Sequence, residues 1–269
     1  MAETDADAAA LALAKPASRA PRSSAQRIRA IRRWTPALWS IRIERPANYP
    51  FKPGHYARLG LPVDTPEAAV WRPYSIVSAT TDSELEFLLV LIPGGAFTSQ
   101  LAVLREGDTV LLEQAVFGFF LDSQLAPGDT LWMLATGTGL GPYVSLLRTP
   151  GALDRYTRAV LVHSVRRADE LAYRDEIEAP AAVSHGRLTY VPIVTREPGV
   201  GVLAGRIPQL ITDGTLQAHV AHTLDPADSR VMVCGNPEFT TGMRALLAER
   251  GFTPCRRNSP GSMLFEKYW

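Results

Sequence analysis

Between residues 27 and about 122, apolar and polar positions alternate over short runs, the period-two pattern of half-buried strands. In residues 37–45, Leu38, Trp39, Ile41 and Ile43 sit among polar neighbours. Further runs at 55–61, 74–79, 85–92 and 109–113 predict more strands. Turn signals separate them: Pro53-Gly54, Leu61-Pro62, Thr81-Asp82-Ser83, Pro93-Gly94-Gly95 and Gly107-Asp108. One helical stretch, 97–105, interrupts the series. Short strands at this spacing predict a small antiparallel β-barrel.

Past about Ser123 the pattern changes to strands alternating with helices. Strands are predicted at 130–135, 159–165, 188–194, 231–234 and 263–265, and helices at 142–147, 168–178, 207–211 and 237–250. That alternation predicts a parallel sheet with helices on both faces. The fold class is therefore an N-terminal antiparallel barrel over 27–122 followed by a parallel-sheet α/β domain over 123–269. Residues 1–26, rich in Ala, Pro, Ser and Arg, read as a disordered extension.

Composition excludes several classes. Two cysteines, Cys234 and Cys255, supply neither a disulfide framework nor the four thiolates of an iron–sulfur cluster. No apolar run approaches the roughly 18 residues of a membrane span, and the acidic N-terminus does not read as a secretory signal, so cytoplasm is the default location. Net charge is only +1, yet between Lys15 and Arg45 basic residues crowd and Glu44 is the one acid. This stretch is either a positive field for an acidic partner or a basic tail running into a solvated strand face.

Five segments can carry chemistry. A hydrophobic strand runs into Gly137, Thr138, Gly139, Gly141 and Pro142 and then a helix, as a phosphate-cradling turn requires; a plain strand-to-helix turn reads the same way. Arg72, Pro73, Tyr74 and Ser75 could serve a charged aromatic cofactor or simply begin a strand. Arg166, Arg167, Arg196 and Arg206 lie near predicted strand ends or a helix start, where arginines can accommodate the 2′-phosphate of NADP; any one of them alone also reads as a plain surface arginine, while several together favour the phosphate role. Cys234, Gly235 and Asn236 close a strand with small residues that leave room for a flat ring, or supply only a buried thiol. The chain ends on Tyr268 and Trp269, aromatics where termini usually fray; they either pack into a core, the reading composition favours, or cover a flat group.

In this order the five segments resemble the bacterial ferredoxin/flavodoxin–NADP reductase family. RPYS matches its flavin motif, and LATGTGLGPY, VHSVRRADELAY, VTRE, LAGRIPQLI, VMVCGNPE and KYW are similar to its members. The resemblance covers about 27–269. It implies FAD lined by Arg72, Pro73, Tyr74 and Ser75, with Leu89, Val90 and Leu91 beside the flavin and Ala96, Phe97, Thr98 and Ser99 at its phosphates. It also implies Thr138 near the ring, Tyr268 stacked on it and Trp269 toward the adenine. For NADP it implies Gly137, Thr138, Gly139, Thr195, Gly235 and Asn236 along the nucleotide, and Arg166, Arg196 and Arg206 at the 2′-phosphate. Ser75, Cys234 and Glu266 would carry the catalytic geometry.

The implied activity is hydride exchange between NADP(H) and flavin N5, with single electrons passed to ferredoxin or flavodoxin. Arg32, Arg33, Arg256, Arg257 and Lys267 would meet such an acidic carrier, and the chain would act as a monomer without nucleic acid or membrane. Two other readings stand beside this one: the reductase component of an oxygenase or a quinone reductase, and a flavin electron-transfer subunit or sensor without NADP turnover.

Overall fold

The computed structural model describes residues 23–61 and 69–268. Six antiparallel strands form the first sheet: β1 (Ser23–Arg33), β2 (Leu38–Glu44), β3 (Tyr56–Gly60), β4 (Arg72–Ser75), β5 (Glu84–Val90) and β6 (Thr109–Glu113). Their order is β4-β3-β6-β1-β2-β5, and an Ile76–Phe87 bridge brings the two edges together into a nearly closed barrel. Inward residues of alternating strands fill it, among them Ile28, Ile41, Ile43, Leu59, Ile76, Leu85, Phe87 and Leu112.

Strand β1 begins at Ser23, inside the segment expected to be disordered, because Ser23–Arg27 pair with Glu113–Thr109 of β6. Much of the basic crowding on this side is used internally. Arg29 pairs with Glu44, Arg42 with Glu84 at 3.2 Å, and Arg45 donates to the carbonyls of Tyr49, Thr80 and Asp82. Arg32 and Arg33 lie over the rings of Trp34 and Trp39.

Five parallel strands form the second sheet: β7 (Thr130–Thr136), β8 (Arg158–Val165), β9 (Leu188–Val194), β10 (Ser229–Gly235) and β11 (Met263–Lys267). The order β11-β10-β7-β8-β9 reverses direction at β7. Leu131, Met133 and Ala135 of β7 share a core with Tyr143, Val144 and Ile177 and with barrel residues Leu38, Val77, Leu88 and Phe120. Trp132 and Leu134 face the opposite side and pack with Ile207, Leu216, Phe239 and Met243. Every β7 residue from Thr130 to Ala135 is thus buried, which explains the unbroken apolar run LWMLA.

The helices are α1 (Thr98–Leu101), α2 (Gly141–Arg148), α3 (Arg174–Val183), α4 (Ile207–Thr212), α5 (Thr215–Val220) and α6 (Pro237–Glu249). Three expectations are corrected. Helix α1 has only four residues. The helix expected at 168–178 is a short turn at Ala168–Glu170, then α3, with left-handed Tyr173 between them at φ 59°. The strand expected at 74–79 is β4 at Arg72–Ser75, continued by the bridge at Ile76. Helix α5 carries no strong sequence signal and is held by Leu216 and Val220 in the core.

Candidate functional site

The carboxyl ends of β7 and β10, adjacent strands at the point where the sheet order reverses, open toward the barrel. Ligands of open α/β sheets bind at such a switch point. After β7 the chain enters the turn Gly137–Leu140 and then α2, with Pro142 in the first helical turn. Gly137 takes φ 52°, and a Cβ there would come within 3.2 Å of the Tyr268 hydroxyl. A Cβ at Gly139 would overlap the carbonyl oxygen of Cys234, so only glycine lets this turn lie on the end of β10.

Three residues from distant parts of the chain meet in front of this turn. Ser75 Oγ, at the end of β4, donates to Glu266 Oε2 at 3.3 Å. Glu266 lies directly opposite Cys234 in the β10–β11 register. Burial pushes the Glu266 carboxyl up to about 7, and the Ser75 hydrogen bond pulls partly against it. Burial, and then the nearby Glu266, push the Cys234 thiol well above its ordinary value, so it stays a neutral thiol. Tyr143, fully buried behind them, donates its hydroxyl to the Leu134 carbonyl at 3.3 Å.

Tyr268 closes the edge. Its hydroxyl donates to the Thr136 carbonyl at 3.1 Å, and its backbone amide donates to the Gly235 carbonyl at 3.2 Å. Trp269 lies outside the described residues. Asn236 caps α6, its Oδ1 accepting from the Phe239 amide at 2.9 Å. Thr138 sits half-buried within the glycine turn.

The arginines gather along the same edge of the sheet. The Arg196 amide donates to the Arg166 carbonyl at 2.8 Å, so the two leave neighbouring strand ends together with exposed side chains. Thr195 is exposed, and its hydroxyl donates to the Val165 carbonyl at 3.0 Å. Arg206 immediately precedes α4 and reaches Glu238 at the start of α6, 3.7 Å away. Arg167 is drawn off by Glu197 at 3.0 Å.

On the barrel side, Tyr74 packs against Phe97 with ring centroids 5.6 Å apart, and burial pushes its phenol up to about 12. Arg72 and Pro73 are exposed. Leu89 is buried in the barrel, while Val90 is exposed and Leu91 half-buried. The Thr98 hydroxyl donates to the Ile92 carbonyl and accepts from the Ile92 amide, both at 3.0 Å. The Ser99 amide donates to the Gly95 carbonyl at 3.0 Å in the turn that opens α1.

Sequence reasoning missed His163 and Thr136. His163, fully buried in β8, holds the Gly137 carbonyl through Nε2 at 3.0 Å. Its Nδ1 and the Thr136 hydroxyl are buried with no hydrogen-bond partner among the described residues. A polar residue inside the apolar run AVLVHSV was the available signal. The close glycine turn, these orphaned polar atoms and the exposed arginine pair fit a phosphorylated nucleotide at the carboxyl edge. Ser75, Cys234, Glu266 and Tyr268 bring a hydroxyl, a thiol, a carboxyl and a phenol together where the barrel meets the sheet, a set suited to a redox-active ring.

Two domain families match. Residues 33–119 match the oxidoreductase FAD-binding domain, and residues 133–245 match the oxidoreductase NAD-binding domain. The chain is 38% identical over 240 residues to the flavodoxin/ferredoxin–NADP reductase of Escherichia coli (strain K12), covering 89% of this chain and 96% of that one. It belongs to the flavodoxin/ferredoxin–NADP reductase family.

Other members agree with that placement. The ferredoxin–NADP reductase of Pseudomonas aeruginosa is 34% identical over 252 residues, covering 90% of this chain and 96% of that one. A ferredoxin NADP+ reductase from Neisseria gonorrhoeae, solved with bound FAD and NADP, superposes with a TM-score of 0.86 at 33% identity, covering 92% of this chain and 99% of that one. The FAD-binding match spans β2 to β6, and the NAD-binding match runs from within β7 into α6.

Proposed function

We propose that the chain exchanges electrons between NADP(H) and a one-electron carrier protein, ferredoxin or flavodoxin, through FAD bound at the barrel. The Ser75–Glu266–Cys234 junction carries this reading, because it places barrel and nucleotide-sheet groups around one cleft. The chemistry supplied on binding is FAD's: an electron pair taken as hydride from NADPH and given up as single electrons.

The protein's own groups bind, orient and exclude water. Arg72, Pro73, Tyr74 and Ser75 line the flavin side with Leu89, Val90 and Leu91, and Ala96 and Phe97 face its phosphates. Gly137, Thr138, Gly139, Gly235 and Asn236 form the floor for the nicotinamide nucleotide. Arg166, Arg196 and Arg206 supply planar donors to a 2′-phosphate. Cys234 contributes a small neutral wall, and Ser75 sets the lateral position of the ring. Glu266 holds a proton that exchanges near neutral pH. Tyr268 stands where it must yield for the nicotinamide to enter, so the terminus gates the cleft.

An acidic soluble carrier would approach the exposed arginines Arg32, Arg33, Arg256 and Arg257. No helix among the described residues is long and apolar enough to cross a membrane, and cytoplasm is the compartment we infer. Anaerobic titration of the purified yellow protein tests the reading. Bleaching by NADPH at far lower concentration than NADH supports it. A colourless protein that releases no flavin on denaturation, or a yellow one indifferent to NADPH, overturns it.

A further inference from the structure

A line of contacts joins the barrel to the α/β layer behind the glycine turn, and it follows α2 from end to end. At the N-terminal end, a Cβ on Gly141 would stand 3.3 Å from Val77 Cγ2 and 3.7 Å from Ser75 Cβ. Midway, Ser145 Oγ donates to the Ser78 carbonyl at 2.6 Å. At the C-terminal end, Arg148 Nη1 donates to Glu86 Oε2 at 2.7 Å and to the Val77 carbonyl at 3.3 Å. Just beyond, the Thr80 amide donates to Thr149 Oγ1 at 3.2 Å.

The Arg148 end is built with unusual care. Its guanidinium also grips Glu176 of α3 through Nε at 2.5 Å and Nη2 at 2.9 Å, so one planar fork joins the barrel, α2 and α3. The other oxygen of Glu86 accepts from the Tyr173 hydroxyl at 2.7 Å. Tyr173 reaches across from a left-handed backbone at φ 59°, which costs energy for a bulky residue. Its ring meets Trp34 of the barrel edge-on at 4.7 Å. Glu86 is only 9% exposed, and a buried ion pair of this kind rarely adds stability over apolar packing. What it adds is direction, because a planar fork accepts a carboxylate in few orientations.

We propose that Glu86, Arg148 and Tyr173 are positioning residues that fix the angle between barrel and sheet, and through α2 the approach of the glycine turn to Ser75. An eight-residue helix is a rigid rod of about 12 Å. Tilting its Arg148 end therefore displaces Gly141 against Ser75. A misplacement of about 1 Å at a reacting centre slows a step by up to about 100-fold. The clasp touches neither candidate ring nor the phosphate arginines, so it governs the transfer step and not nucleotide affinity. This inference rests on the proposed function for its kinetic arm alone.

The test compares wild type, Glu86→Gln, and the double variant Glu86→Leu/Arg148→Met, which replaces the ion pair by apolar packing. Spin labels go at exposed Val103 and Val183, mutated to cysteine in a Cys255→Ser background. We expect both variants to retain FAD and the wild-type KM for NADPH. Their distance distributions should broaden, and single-turnover flavin reduction should slow at least 10-fold. Should the double variant fail to fold, Glu86→Gln carries the same comparison. Distance distributions as sharp as wild type overturn the clasp, whatever the activity. A raised KM with an unchanged transfer rate overturns it as well. If wild type itself is not reduced by NADPH, the proposed function fails while the distance measurement still judges the clasp.

Discussion

Ser75 and Glu266, 191 positions apart in sequence, share a 3.3 Å hydrogen bond at the boundary between the barrel and the parallel sheet. The donor ends β4, and the acceptor lies on β11 opposite Cys234. Each holds the other in place, so changing either one alters both the geometry and the proton affinity of the cleft.

Removing the hydroxyl in Ser75→Ala should leave FAD bound and slow its reduction by NADPH by up to about 100-fold, the cost of losing lateral positioning. Single-turnover stopped-flow absorbance reads this directly. An unchanged rate would remove Ser75 from the transfer step.

Loss of the same hydrogen bond takes away the one influence that lowers the Glu266 carboxyl, so its titration in Ser75→Ala should move to higher pH. In the wild type the folded pKa is about 7, raised from 4.5. The folded state thus binds this proton more tightly than the unfolded chain. Its contribution to stability is full below about 4.5 and falls away as pH rises through about 7. Glu266→Gln should abolish that decline, on the order of 3 kcal/mol by the usual conversion. Denaturant melts at several pH values between 4 and 8 measure it.

His163 gives the opposite sign. Burial lowers its pKa from 6.5 to about 4 and outweighs the upward pull of the Gly137 carbonyl. The neutral ring supports the fold above about 6.5, and the stabilisation is lost as pH falls toward about 4. His163→Gln should flatten this acid limb while keeping a donor for Gly137. Persistence of the limb in thermal melts of the variant would assign it to other groups.

Charge removal at the sheet edge should separate the two nicotinamide nucleotides. Arg166→Leu or Arg196→Leu should raise KM for NADPH about 10- to 100-fold, as expected for one lost charge-assisted hydrogen bond. KM for NADH should stay nearly constant. Equal effects on both nucleotides in steady-state assays would place these arginines away from the 2′-phosphate.

Local chemistry made much of this protein legible. The period-two runs of the barrel and the unbroken apolar β7 follow from burial on one face or two, and such patterns survive in any context. Gly137 and Gly139 announce a tight turn: Gly137 takes a left-handed φ of 52°, and a Cβ at Gly139 would overlap the Cys234 carbonyl. Boundaries were less legible. Strand β1 begins at Ser23 because β6 offers it a partner 90 residues away, as Ser23 pairs with Glu113. A short α5 persists because Leu216 and Val220 are held by the core, and an isolated helix of that length would not form.

By itself the sequence determined which residues must be buried, where the chain must turn, and which motifs could meet a nucleotide. Only the tertiary structure decided which of those groups face one another. Ser75 reaches Glu266, Arg148 joins Glu86 to Glu176, and His163 supports Gly137, because strand order and helix docking bring them together. Pairings of this kind depend on direction across a packed interface, and no period or spacing along a chain records it.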